Sequence, residues 1–115
     1  MHEVSLVQEL FDQTDAAIGR HPAATVRLVM VRIGELAGVD VGLFRTAFDG
    51  CKDERGYAGA VLAVEVERAD WACERCGAPV VAEGPLRCDA CDGDAQLRAG
   101  GALILQRLEL EVPDV

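Results

Sequence analysis

Two cysteine pairs, Cys73/Cys76 and Cys88/Cys91, constrain this chain more than any other feature. They lie in WACERCGAPVVAEGPLRCDACDG, residues 71–93, with eleven residues between the pairs. A CxxC turn lets two thiolates converge on one cation while backbone N–H groups face the sulfurs. Four sulfurs close a tetrahedral shell, which Zn(II) accepts without electronic preference. The spacer is shorter than the usual template for such sites, but residues 78–81 and a turn at Gly84 and Pro85 have room for a small hairpin. Gly77, directly after the second cysteine, suits a turn position with positive φ. Two disulfides would leave Cys51 as an odd fifth thiol, and no secretory leader is read at the N-terminus. A redox motif needs only one pair, set between a strand and a helix, and neither pair has that setting. A structural zinc site of Cys73, Cys76, Cys88 and Cys91 is therefore expected. Four thiolates leave no open position for a substrate, so this metal is architectural.

At 115 residues the chain has room for one core and a metal-stapled appendage too short to fold alone. Half the residues are hydrophobic and 4% are aromatic, so the expected core is aliphatic, built from Val, Leu, Ile and Ala. A net charge of −9 argues against a nucleic-acid partner, because phosphate binding needs a cationic surface. No apolar run approaches the length of a membrane span. Reduced cysteines without a leader point to the cytoplasm. An acidic surface suits cation handling, and it equally serves plain solubility. There is no Ser/His/Asp set and no phosphate loop, so no catalytic role is expected.

Residues 3–19 carry Val4, Val7, Leu10, Phe11, Thr14, Ala17 and Ile18 at helical spacing, with Gly19 as a stop. Arg20, His21 and Pro22 form a connector, and His21 is read as part of it rather than as a metal ligand. Residues 24–36 are rich in β-branched side chains and read as a strand buried mostly on one face, broken at Gly38. Asp40 suits the N-cap of a second helix, VGLFRTAFDGC, with Leu43, Phe44, Ala47 and Phe48 on its apolar side. Cys51 at its end reads as a small buried apolar residue. Residues 59–70 form a second strand with Leu62, Val64 and Val66 facing one way and Glu65 and Glu67 the other. A last strand, 102–112, places Ile104, Leu108, Leu110 and Val112 in one phase. Leu103 and Leu105 break that phase, which predicts cover on both faces at one end.

The expected fold is α+β: a three-stranded mixed sheet with two helices on one face and an inserted four-cysteine zinc-ribbon module. The first two strands run parallel through a helical crossover. The last returns antiparallel beside its predecessor. Residues 1–70 and 98–115 form one domain and residues 71–97 the zinc-binding domain.

The N-terminus is a second candidate site. Met1-His2-Glu3 puts an imidazole one peptide bond from the α-amine. That amine, the His2 backbone nitrogen and the His2 ring nitrogen make fused chelate rings of the kind Ni(II) and Cu(II) favour. Glu3 or Asp40 is a candidate fourth ligand. The plainer readings are a solvated terminal histidine, a glutamate favoured in a first helical turn, and a helix-capping aspartate.

The Met-His-Glu start running into VSLVQELF, the strand with VRIGELAGV, the helix with LFRTAF, and CERCG followed by CDAC together resemble the HypA/HybF family of nickel-insertion proteins for [NiFe]-hydrogenase maturation. The resemblance covers essentially the whole chain. It implies a nickel metallochaperone, not an enzyme. His2 would be the main Ni(II) ligand, helped by the Met1 amine, Glu3 and Asp40. Cys73, Cys76, Cys88 and Cys91 match the family's zinc ligands. The implied partners are a HypB-type nickel GTPase and the hydrogenase large-subunit precursor, and a homodimer is left open. From another class, a zinc-ribbon interaction adaptor without a nickel role accounts for the cysteines alone.

Overall fold

A computed structural model describes residues 2–19 and 25–112. The elements run α1 (His2–Ile18), β1 (Thr25–Gly34), α2 (Val41–Cys51), β2 (Val61–Glu67), β3 (Asp70–Cys73), β4 (Pro79–Val80), β5 (Ala95–Ala99) and β6 (Leu103–Glu111). The connector at Arg20, His21 and Pro22 lies outside the described residues.

Helix α1 buries Val7, Leu10, Phe11 and Thr14, a stripe at i, i+3, i+4 and i+7. The Thr14 hydroxyl, fully buried, donates to the Leu10 carbonyl at 2.9 Å, which satisfies it within its own helix. Helix α2 starts at Asp40 as expected: Asp40 has extended backbone angles and its side chain accepts from the Leu43 N–H at 3.0 Å. A cap of this kind contributes about 1 kcal/mol. Phe44 and Phe48 face inward. Leu43, expected among them, is 56% exposed. Cys51 is half-buried.

The core departs from the aliphatic expectation. All three phenylalanines, Phe11, Phe44 and Phe48, are fully buried, and Tyr57 is 6% exposed. Phe11 stacks between Phe48, with ring centroids 5.2 Å apart, and Tyr57, at 5.4 Å. Few aromatics suffice because each buries far more area than a valine. Around them lie Val26, Val29, Val31 and Ile33 of β1 and Leu62 of β2.

The main sheet has the order β2-β1-β6. Glu35 N–H donates to the Glu67 carbonyl at 2.8 Å, so the ends of β1 and β2 meet and the two strands run parallel. Gly34 N–H donates to the Ala102 carbonyl at 2.9 Å, so β6 starts where β1 ends and runs antiparallel to it. The sheet is mixed, as expected, but the last strand pairs with β1 and not with its predecessor. The physical reason is burial: β1 is an almost unbroken apolar run with five buried residues and takes the centre. The more charged β2 and β6 take the edges. In β2, Val66 is 55% exposed while Glu67 is half-buried and accepts from Gly100 N–H at 2.8 Å, the reverse of the expected phase at that end. In β6, Leu103 and Leu105 are half-buried and Ile104 is 48% exposed, so that end is covered on one face only.

A second sheet has the order β4-β3-β5, antiparallel throughout. The short strand expected near residues 78–81 forms at Pro79–Val80. Its partner is β3, through Trp71 opposite Val80 and Ala72 opposite Pro79.

By packing the chain divides into two compact units, one of Met1–Arg32, Val39–Glu65 and Ile104–Val115, the other of Ile33–Gly38 and Val66–Leu103. No helix among the described residues is long and apolar enough to cross a membrane.

Candidate metal centre

The two CxxC turns are built alike. In each, the first cysteine's N–H donates to the carbonyl five residues on: Cys73 to Ala78 at 2.8 Å, Cys88 to Gly93 at 2.9 Å. In each, the residue four on returns its N–H to the cysteine carbonyl: Gly77 to Cys73 and Asp92 to Cys88, both at 2.9 Å. That returning residue needs positive φ, which is +77° at Gly77 and +60° at Asp92. Aspartate is among the few side chains that tolerate this region. The sequence signal at Gly77 was legible; the matching role of Asp92 was missed.

The turns also aim backbone N–H groups at sulfur. Arg75 and Cys76 donate to Cys73 Sγ at 3.4 and 3.5 Å, and Ala90 donates to Cys88 Sγ at 3.3 Å. These donors stabilise a thiolate. With Cys76 N–H the largest cause, the Cys73 thiol is lowered to about 6, while the Cys91 thiol is pushed up to about 12 because its S–H donates to Cys73. One thiolate thus forms readily in the bare cluster at the expense of its neighbour. A divalent cation removes that competition by neutralising all of them together.

The four sulfurs lie within 4.8 Å of one another. Cys73 and Cys91 sulfurs are 3.4 Å apart, and Cys76 and Cys88 sulfurs 3.6 Å. These are too long for disulfides, whose bond is ~2.05 Å. A tetrahedral shell with metal–sulfur bonds of ~2.3 Å sets neighbouring sulfurs about 3.8 Å apart, so the cluster fits Zn(II). Cys73 and Cys88 are buried, Cys91 half-buried and Cys76 exposed. Gly93 packs against this shell: a Cβ there would meet Cys73 Sγ at 2.8 Å and Arg75 Cδ at 2.9 Å. Neither Gly93 nor Arg75 was singled out from sequence, because the contact exists only once the second turn closes on the first.

The N-terminal candidates are arranged differently. Met1 lies outside the described residues, as does His21. His2 is the exposed first residue of α1. Glu3, half-buried, accepts from Asp40 N–H through Oε2 at 3.3 Å. The α1 start and the α2 cap are therefore neighbours, and Asp40 stands beside Glu3 across 37 residues of sequence. Glu3 also lines a hollow of about 280 Å³ with Val4, Leu43, Thr46 and Ala47, which accounts for the exposure of Leu43. Among the described residues the four cysteines are the one group whose donor atoms lie close enough together to hold a metal ion, and His2, Glu3 and Asp40 do not form such a group.

Comparison with known proteins extends over the same length. A family profile described as hydrogenase/urease nickel incorporation, metallochaperone, HypA matches residues 1–110. The hydrogenase maturation factor HypA of Aquifex aeolicus is 33% identical, covering 97% of this chain and 99% of that protein. Its counterpart in Wolinella succinogenes is 31% identical, covering 99% and 98%. A solution structure of a HypA protein superposes with a TM-score of 0.78 at 25% identity, covering 96% of this chain and 97% of that one. The Ni metallochaperone HypA of Helicobacter pylori has the same fold, with a TM-score of 0.74 at 24% identity over 96% of this chain and 98% of that one. The chain belongs to the HypA family, the nickel-incorporation metallochaperones of hydrogenase and urease maturation.

Proposed function

We propose that this chain is a nickel carrier, not a catalyst. It binds Ni(II) at its N-terminus and delivers it for [NiFe]-hydrogenase maturation, while Cys73, Cys76, Cys88 and Cys91 hold a structural Zn(II). The family description covers both hydrogenase and urease, and the curated relatives named above are hydrogenase maturation factors. The observation that supports the nickel reading is the Asp40 N–H bond to the Glu3 carboxylate, which joins the start of α2 to the first turn of α1. In this reading the Met1 amine, the His2 ring and backbone nitrogens, Glu3 and Asp40 supply the nickel ligands. Residues 1–70 and 98–115 form the nickel-binding domain and residues 71–97 the zinc-binding domain. A HypB-type nickel GTPase and the hydrogenase large-subunit precursor are the partners, in the cytoplasm.

The zinc, when bound, supplies a four-thiolate cross-link between the two turns, and a closed shell of this kind takes no part in transfer. An exposed terminal chelate, by contrast, surrenders its cation one ligand at a time. Irving–Williams ordering gives such a nitrogen site a preference for Cu(II), so selectivity for nickel rests on supply and on partners.

The test is calorimetric titration of Ni(II) into zinc-loaded protein with its native N-terminus, beside a form carrying an N-terminal extension and a His2→Ala form. About one nickel per chain, lost in both altered forms, is the expected result. Equal binding by all three would move the site away from the terminus. No binding by any would leave an interaction adaptor as the better reading.

A further inference from the structure

We infer that Cys76 is an oxidation site: a peroxide oxidises its sulfur first, Cys88 closes a disulfide onto it, and the zinc shell opens. This rests on the zinc reading of the four cysteines and names the ligand through which an oxidant enters.

The four sulfurs of the shell are not equivalent. They differ first in access. Cys73 and Cys88 are 0% and 4% exposed, Cys91 is half-buried, and Cys76 alone of the four is exposed. They differ also in how the backbone holds them. An N–H aimed at a thiolate withdraws charge from it, and nucleophilicity falls along with basicity. Cys73 Sγ accepts two such bonds, from Arg75 and Cys76, and Cys88 Sγ accepts one from Ala90. Cys91 Sγ is held by the N–H of Gly93, two residues on. The matching N–H after Cys76 belongs to Ala78, and among the described residues no N–H is seen donating to Cys76 Sγ. The most accessible sulfur is therefore also the least damped. Oxidation-prone cysteines share this setting, a solvent-accessible thiolate beside a second sulfur that resolves it.

The second sulfur is in place. Cys76 and Cys88 sulfurs are 3.6 Å apart, while Cys73 and Cys91 pair with each other at 3.4 Å. Both short pairs cross from one CxxC turn to the other. Cys88 is closed to bulk oxidant but faces Cys76 directly. In the first step the Cys76 thiolate attacks one oxygen of hydrogen peroxide and the O–O bond breaks. Cys76 becomes a sulfenic acid, and the other oxygen leaves as water with a proton from solvent. In the second step the Cys88 thiolate attacks the Cys76 sulfur, the S–O bond breaks, and hydroxide leaves as water with a second proton. Two thiolates, one peroxide and two protons thus give one disulfide and two waters, with two electrons passed from sulfur to peroxide.

The disulfide withdraws two of the four thiolates, and Cys73 and Cys91 alone do not make a closed shell. It also joins the same two turns that the metal joined. A thiol reductant therefore returns the ligands to one another's neighbourhood, and the change is reversible at this rung of cysteine oxidation.

The test uses the unaltered, zinc-loaded full chain and tryptic mapping by mass spectrometry. Cleavage after Arg75 and Arg87 places Cys73, Cys76 and the Cys88/Cys91 pair on three separate peptides, with Cys51 on a fourth. Brief treatment with iodoacetamide should label Cys76 about 10-fold ahead of each other ligand, as its access and lack of N–H donors require. Equimolar hydrogen peroxide should release zinc to a chromogenic chelator and join peptide 76–87 to peptide 88–98, with fragmentation placing the bond at Cys88. Dithiothreitol should restore the full zinc content. A reduced chain that holds no zinc overturns both this inference and the zinc reading. A loaded chain overturns this inference alone if its first label falls on another cysteine or if its first disulfide is any pair but Cys76–Cys88. Zinc retained under peroxide, or a loss that the reductant fails to reverse, does the same.

Discussion

Asp40 holds two elements at one point: its carboxylate caps α2 through Leu43 N–H, and its own N–H donates to Glu3. These roles separate by substitution. Asp40→Ala removes the cap and should cost about 1 kcal/mol in urea unfolding. Asp40→Asn keeps a capping oxygen, so stability should change by only a few tenths of a kcal/mol. If the Asp40 carboxylate is a nickel ligand, Asp40→Asn should still weaken Ni(II) binding. Unchanged nickel affinity in that variant would confine Asp40 to capping. Residue identity alone left both roles open, because an N-cap and a carboxylate ligand demand the same side chain.

At the scale of elements, the loop after α2 is strapped to α1. Arg55 bonds Gln8 and Asp12 at 2.7 Å and Asp15 at 2.9 Å, while its guanidinium carbon lies 5.4 Å from the Phe11 ring centroid. The Tyr57 hydroxyl donates to Asp15 and its ring stacks on Phe11. The Tyr57 hydrogen bond, aided by Arg55, holds the Asp15 carboxyl below its usual range against some desolvation. Burial first, and Asp15 second, push the Tyr57 hydroxyl well above its ordinary value. The signs give opposite limbs. A lowered carboxyl contributes stability that is present above an ordinary value of ~3.9 and lost as pH falls below it. A raised phenol contributes stability that is present below ~10 and lost as pH rises through the folded value. Tyr57→Phe should lower stability near neutrality by about 1 kcal/mol. It should also flatten the alkaline limb and shrink the acid one. Thermal melts from pH 2 to 11, as a rough span of these two ranges, check this; an unchanged alkaline limb would detach Tyr57 from it.

For the whole molecule, the division into two units makes metal removal a local event. Structural zinc contributes ~10–16 kcal/mol of apparent binding free energy in small modules at neutral pH. Stripping it with a strong chelator should abolish exchange protection across β3, β4 and β5. Amides of α1 and α2, which pack around Phe11, Phe44 and Phe48, should keep theirs. Protection lost everywhere at once would mean that the two units fold as one. Acidification should loosen the metal in the same way, because the ligands bind as thiolates and protons compete for them.

Local chemistry reached as far as local rules extend. The α1 stripe, the Asp40 cap, the Gly77 turn and the four cysteines were legible because helical spacing, capping and CxxC geometry are settled within a few residues of sequence. The family followed from those same stretches. Tertiary structure decided the rest. A three-stranded order depends on which strand buries most area on folding, and so β1, not β2, lies at the centre. A composition of 4% aromatic residues gave no sign that Phe48 and Tyr57 would both stack on Phe11 in the core. The contacts of Gly93 with Cys73 and of Asp40 with Glu3 join residues far apart in the chain, and only packing brings such groups within bonding distance.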